Sequence, residues 1–279
     1  MKDVLTFTLI AGTKACPNNC PICISKQTPS HGIEYEKIPI NIPCFQKSIQ
    51  IALNHRAQNV LITGKGEPTL FPSQVSQYLI ELKDKPFDKR ELQTEGFNLS
   101  NSKMDEFLEI WKMLDLDFIA VSIYHYDSKF NQQMFKNEKG YEINKLLVKL
   151  NNMGFKIRLS CVLAKGYMDS VLKIQQLIDF SIHFNITQLS LRTIDNPKYL
   201  SEIQKYQFDT TDIENYIKNG IFCDSLPHGA SIYEVDGQNV CLTSGLTNDA
   251  GKDNIRQLIF FPQGILTSSW ISVNGSRIL

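Results

Sequence analysis

The sequence holds no apolar run of the ~20 residues that a helix needs to span a bilayer, so nothing in it points to a membrane-spanning protein. Charge of one sign is not in excess either: 29 Lys+Arg stand against 29 Asp+Glu in 279 residues. That balance advertises neither nucleic acid nor an anionic membrane as a partner, although a local basic patch is compatible with it. Cysteine is sparse. Seven in a chain of this length is an odd number at low density, which argues against a disulfide framework. There is no low-complexity segment and no repeat at fixed period. A lipoprotein leader ending at Cys16 is disfavoured by Asp3, where a basic residue belongs, and by Lys14 two residues before the cysteine. The expected setting is a reducing cytoplasm. What the chain does have is 42% apolar residues, enough for a sizeable core, and a length suited to one large domain or one domain with an appendage.

Three of the seven cysteines stand together. Cys16, Cys20 and Cys23 lie in Ala15-Cys16-Pro17-Asn18-Asn19-Cys20-Pro21-Ile22-Cys23, a C-x3-C-x2-C spacing just after the apolar run 4–10. Thiolates on one short loop suit one small inorganic centre. A four-iron cube normally takes four cysteines, so three leave one iron open, as catalytic metals are left open. A zinc site completed by Cys44 or His31 is the plainer reading. It calls for a second ligand arm, and none is visible.

Strand patterns fall at residues 4–10, 59–63, 90–93, 118–123, 156–163 and 187–191, the third short and polar. Helical spacing lies between them. Ser102 is placed to cap a helix with Met104, Phe107, Leu108, Trp111 and Leu114 on its apolar face. Ile143, Leu146, Leu147 and Leu150 repeat the pattern before Gly154, and Val75 to Leu82 and Val171 to Ile182 give further helices. Strand–helix–strand repeated six times predicts a parallel sheet with right-handed crossovers. Six units are too few for a closed eight-fold barrel, so an open partial (β/α)6 barrel is expected, with its active groups at the carboxyl ends of the strands. After residue 204 the grammar changes. Thr211-Asp212-Ile213-Glu214 reads as a capping box, and hairpins are expected at 231–242, around Asp236-Gly237, and at 257–270, around Pro262-Gln263-Gly264. The expected organisation is thus a barrel over 1–204 and, over 205–279, a helix and antiparallel β extension that caps it.

The cysteine loop after the first strand and Gly64-Lys65-Gly66-Glu67-Pro68 after the second together resemble the radical S-adenosylmethionine (radical SAM) superfamily, and within it the branch of the molybdenum-cofactor GTP cyclase. The match covers roughly residues 1–200. Two departures stand out. Ile22 occupies a position that is usually aromatic, and Lys65 interrupts the usual Gly-Gly-Glu. The resemblance implies a single 4Fe-4S cluster on Cys16, Cys20 and Cys23, whose open iron is chelated by S-adenosylmethionine (SAM). It implies that Glu67 accepts a hydrogen bond from the SAM amino group, with Gly64 and Gly66 allowing close backbone approach. Reductive cleavage of SAM would yield a 5′-deoxyadenosyl radical that removes hydrogen from a substrate.

Further positions follow from the same resemblance. Thr94 heads Thr94-Glu95-Gly96 where relatives often carry Thr-Asn-Gly. Ser122 stands where ribose contacts are usual, and Leu163 near the expected adenine. Arg192, in Leu191-Arg192-Thr193-Ile194-Asp195, is suited to the SAM carboxylate or an anionic substrate. Ser122 is equally readable as a satisfied strand hydroxyl, Lys65 as a solvated side chain, and His125 as either an acid–base group or an ordinary loop residue. Cys44, Cys161, Cys223 and Cys241 read as small buried thiols, which favours one cluster. The expected substrate is a small polar molecule, with a nucleotide-like one weakly preferred, or a peptide, and a flavodoxin or ferredoxin would supply electrons. Trp270 and the tail hairpins are expected to help choose the substrate. The alternatives are an activase that installs a glycyl radical on a partner protein and, of another class, a non-catalytic iron–sulfur electron carrier.

Overall fold

The alternation of β-branched runs and amphipathic helices becomes, among the described residues, one mixed sheet of eleven strands. A computed structural model describes residues 2–196, 198–225, 230–244, 254–272 and 277–278. The first six strands are β1 (Asp3–Ile10), β2 (Asn59–Thr63), β3 (Lys89–Thr94), β4 (Phe118–Ile123), β5 (Lys156–Val162) and β6 (Gln188–Thr193). They pair in chain order and all in parallel, each neighbour reached through helical crossovers. Among the described residues the end strands of the sheet do not pair with each other, so it does not close, which is the expected partial barrel.

The tail supplies β7 (Ile221–Ser225), β8 (Ser231–Val235), β9 (Gln238–Ser244), β10 (Asn254–Phe261) and β11 (Ile265–Thr267). Both hairpins form as the turn residues require. β8 and β9 are antiparallel, with Asp236 and Gly237 both at positive φ (51° and 84°), and β10 and β11 are antiparallel, with Gly264 at +99°. Their docking differs from a simple antiparallel continuation. β9 lies parallel to β6 and β10 lies parallel to β1, so the extension occupies both edges of the barrel. Turn chemistry fixes pairing within a hairpin and leaves its edge partner to tertiary packing.

Alternation along the strands separates two faces. In β2, Val60 and Ile62 are buried under the helices, while Asn59, Leu61 and Thr63 are half-buried on the other face. The helix-side core holds Phe7, Phe45, Tyr78 and Phe260, with the Phe45 ring 4.9 Å from Tyr78 and 5.0 Å from Phe260. Phe45 comes from the helix Ile42–Asn54, which sequence periodicity did not single out. Its start is marked instead by Asn41, whose side chain accepts from Cys44 N, and by a proline in the first turn. The helix Ser128–Phe135 was also not singled out. It is polar, and it is held by Asp127 accepting from Lys129 N. Two caps shift by one residue. Asn101 rather than Ser102 serves the helical turn leading into Asp105–Met113. Thr211 is the first residue of its helix, Thr211–Lys218, and Thr210 is the cap, with its hydroxyl bonded to Glu214 Oε1 at 2.8 Å. Among the described residues no helix is long and apolar enough to cross a membrane.

On the inner face, small polar residues sit side by side. Ser122 of β4 pairs with Ser160 of β5, Ser160 with Ser190 of β6, and Ser190 with Cys241 of β9. Short side chains across four neighbouring strands leave the barrel interior open.

Candidate active site

The cysteine loop is positioned by the ends of β1 and β2. Ala11 N bonds to Thr63 O at 2.7 Å, and Glu67 N to Ala15 O at 2.9 Å. The loop backbone runs so close to the next turn that a Cβ on Gly66 would lie 2.1 Å from Ala15 O and 2.7 Å from Thr13 O. One on Gly64 would lie 2.9 Å from Ala11 O. These glycines therefore make room first for the chain's own cysteine loop. On its far side the loop is tied down by Asn19 N to Phe135 O (2.8 Å), by Asn137 Nδ2 to Asn18 Oδ1 (2.9 Å) and by Lys26 Nζ to Asn19 Oδ1 (2.6 Å). Ile22, the departure from an aromatic position, packs with Tyr124, Met134 and Phe135 in a second apolar cluster.

A cavity of about 240 Å³ opens at the carboxyl ends of the strands. Its wall includes Cys16, Cys20, Cys23, Gly64, Gly66, Glu67, Thr94, Ser122 and Arg192, so nine of the ten positions picked out in sequence share one space. Leu163 is the exception: its side chain is buried in the helix-side core, and its N–H bonds to Arg192 O at 2.8 Å. Ser160, Glu95 and Asp195 join the wall.

The carboxylates divide the work in a way the motif does not reveal. Glu67 is buried and saturated by the protein. Its Oε1 accepts from Thr69 N (3.0 Å), Thr69 Oγ1 (2.6 Å) and Thr94 Oγ1 (2.6 Å), and its Oε2 accepts from Glu95 N (3.0 Å). Burial still outweighs these bonds and raises its pKa. Glu95 is buried too, and neither of its carboxylate oxygens has a hydrogen-bond partner among the described residues, although Asn18 and Phe97 N are near enough to favour its charged form. Burial, and next the charge of Glu67, push its carboxyl up to about 8. Of the two carboxylates, Glu95 is the one whose oxygens the chain leaves unbonded among the described residues. The only sequence signal for it was a glutamate where relatives often carry asparagine.

The thiols show why the loop needs a cationic guest. Burial pushes Cys20 up to about 12, with Cys23 and Cys16 adding repulsion, and Tyr124 sits against it. Cys16 opens onto the cavity yet stands among enough protein that burial, with Glu67 and Glu95, also raises it to about 12. Such thiols become thiolates only where positive charge arrives with them, as it does with an iron cluster. The donor set therefore fits the cluster. Among the described residues no three His, Cys, Asp or Glu side chains are placed to grip a single ion. His31 faces Trp270 O (2.9 Å) and Cys44 lies under Gly264, both away from the three cysteines.

Other expectations are revised. Lys65 is buried rather than solvated: Nζ donates to Thr28 Oγ1 at 2.7 Å, 5.3 Å from the centre of the Trp270 ring, and burial draws it down to about 8. Trp270 therefore covers Lys65 and is not part of the cavity wall. His125 has a structural place, its Nδ1 accepting from Asp127 N at 2.9 Å and its ring stacked 4.5 Å from Phe130. Cys161 and Cys241 are buried as expected, Cys44 is half-buried, and Cys223 is exposed.

No family model matches the chain. A UPF0026 protein of Helicobacter pylori (strain J99) is 29% identical over 206 residues, which cover 69% of this chain and 62% of that protein. Among solved structures, Streptococcus suis SuiB bound to S-adenosylmethionine superposes with a TM-score of 0.68 at 18% identity, over 99% of this chain and 63% of SuiB. SuiB bound to its precursor peptide SuiA gives 0.66 at 18% identity, over 96% of this chain and 60% of that one. A radical SAM methyltransferase from Sphaerobacter thermophilus gives 0.51 at 13% identity, over 75% of this chain and 63% of that one. The chain thus spans about six-tenths of the length of the proteins it matches. With its parallel six-strand core, open interior and cysteine loop after the first strand, the chain has the radical SAM fold.

Proposed function

We propose that the protein is a radical SAM enzyme that binds a 4Fe-4S cluster through Cys16, Cys20 and Cys23 and removes a hydrogen atom from a small polar or peptide substrate. The observation that carries this reading is the meeting of three thiols, an unpartnered buried carboxylate and an arginine in one cavity at the carboxyl ends of a partial barrel. Held by Cys16, Cys20 and Cys23, a reduced cluster would supply the one electron that cleaves SAM to methionine and a 5′-deoxyadenosyl radical. The chain's own residues bind and orient. Glu95 accepts from the ammonium of the methionine moiety, since its oxygens are otherwise unpaired. Glu67 fixes the Thr94-Glu95 turn through two bonds, from Thr94 Oγ1 and Glu95 N, and so aims that carboxylate. Ser122 and Ser160 offer hydroxyls for the ribose, and Arg192 a planar fork for a carboxylate or an anionic substrate. A peptide substrate is supported by SuiB, a structural neighbour solved with its precursor peptide.

The test is anaerobic. The protein is reconstituted with iron and sulfide, reduced with dithionite and given SAM, and 5′-deoxyadenosine is assayed by mass spectrometry. Its appearance in the wild type and its loss in Cys20→Ala are expected. A reduced, intact cluster whose electron paramagnetic resonance spectrum does not respond to SAM, and which yields no product, rejects the reading.

A further inference from the structure

A second and larger cavity, of about 700 Å³, lies at the amino-terminal end of the same strands. Five cationic side chains line it, Arg56, Lys89, Arg158, Arg192 and Arg256, against two carboxylates, Asp3 and Glu91. Both carboxylates are engaged. Asp3 pairs with Arg56 at 3.6 Å near the surface, and Glu91 is held between Lys89 (2.7 Å) and Arg158. Glu91, already held by Lys89 and Arg158, is also the acid that acts on Arg192, and Asp195 of the upper cavity acts on Arg256, so five cations share few counter-charges. Buried guanidinium N–H groups are left over: Nε of Arg158, Nε of Arg192 and Nη1 of Arg256 meet no hydrogen-bond acceptor among the described residues. Unpaired buried donors carrying charge are costly unless a ligand arrives to accept from them. Burial, and next the repulsion of Arg158, draws Arg192 down to about 10 against the opposing pull of Glu91.

The position of these arginines follows from strand register. Arg158 stands two residues before Ser160 and Arg192 two after Ser190, on the same inner face, so they flank the row of short side chains. Arg192 lines both cavities and joins them.

From this geometry we infer that Arg158, Arg192 and Arg256 form an oxyanion site that holds a phosphoryl or carboxylate group, the anionic end of the substrate, in the lower half of the barrel. An elongated molecule anchored there extends past Ser190 and Ser160 and presents its far end to the cysteine-lined cavity. Planar guanidinium forks suit two-point contact with either anion. The assignment of this anion to a substrate rests on the radical SAM reading. The anion site itself does not.

The experiment uses the full chain without cluster or SAM, titrated calorimetrically at low ionic strength with inorganic pyrophosphate and, separately, with succinate. Saturable binding of one or both is expected, weakening with added salt. Binding of pyrophosphate alone identifies a phosphoryl ligand, and binding of succinate alone a carboxylate. Arg256→Gln and Arg192→Gln should each weaken binding roughly tenfold or more, as loss of a charged hydrogen bond does. Arg256→Lys, which keeps the charge but not the fork, should lie between, and serves if the glutamine variants do not fold. No binding by the wild type, or affinity unchanged in these variants, overturns the proposal. The SAM-cleavage assay is separate. Cleavage without anion binding removes this site and leaves the proposed function standing; anion binding with neither cleavage nor a spectral response of the cluster to SAM does the reverse.

Discussion

At the scale of single residues, the two neighbouring carboxylates have opposite situations. Glu67 is bonded by the protein on both oxygens, and Glu95 on neither. The Gly-x-Gly-Glu-Pro motif made Glu67 conspicuous, but a motif records residue types, not which lone pairs remain free after folding. The cost of the free acid is measurable. The Glu95 carboxyl is raised by burial, and next by Glu67, from 4.5 to about 8. Below the unfolded value both states are protonated and nothing is lost. As pH rises from about 4.5 to about 8 the unfolded chain releases its proton while the folded one retains it, so stability falls through that window and levels off above it. Each unit of the rise corresponds to about 1.4 kcal/mol. Glu95→Gln is therefore expected to match the wild type near pH 4 and to exceed it by about 2 kcal/mol or more at pH 8.5, read from urea unfolding of the cluster-free protein. The same variant should bind SAM more weakly once loaded with cluster. Parallel stability curves for wild type and variant would show that Glu95 ionises freely and is not the buried acid described.

Elements behave differently, because here close approach and packing decide. The turn after β2 touches the loop after β1 through glycines, and Gly66→Ala would set a methyl group 2.1 Å from a backbone oxygen that has no flexible end to yield. The expected outcome is a protein with unchanged far-ultraviolet circular dichroism but reduced iron content after reconstitution, since the loop carrying the cysteines must move. Full iron loading would mean that the loop tolerates the shift. The helix Ile42–Asn54 offers a stability test. Phe45 is fully buried between Tyr78 and Phe260, so Phe45→Ala should cost about 3–5 kcal/mol. Four of the six barrel strands were legible because apolar runs in 4–10, 59–63, 118–123 and 156–163 carry their own signal, and the other two, 90–93 and 187–191, from their place in the strand–helix alternation. Ile42–Asn54 and Ser128–Phe135 were not, since their starts depend on the Asn41 and Asp127 caps more than on apolar spacing. The gathering of the three cysteines and the Gly64–Glu67 turn on one cavity wall was legible from the two motifs taken together. Burial of Lys65 beneath Trp270, which joins segments about 200 residues apart, was not.

Across the whole molecule, the tail cannot be separated from the barrel in energetic terms. β10 pairs along β1 for most of its length, and Phe260 enters the same core as Phe7, Phe45 and Tyr78. β9 extends β6 and brings Cys241 beside Ser190. Removing these strands would uncover both barrel edges and the apolar surface beneath them, so barrel and tail should unfold in one transition. The chain carries its own reporters, because its two tryptophans fall one in each part. Trp111 is buried under the barrel helices with Nε1 bonded to Ser76 Oγ at 2.9 Å, while Trp270 packs on Phe261 and Lys65 beyond β11. In Trp270→Phe the remaining fluorescence reports the barrel, and in Trp111→Phe it reports the tail. Each should give a urea midpoint equal to the midpoint from circular dichroism of the same variant. A Trp270 signal that changes at clearly lower urea than the circular dichroism would mean that the tail detaches while the barrel stands, and that Lys65 and the cysteine loop next to it can be uncovered without global unfolding.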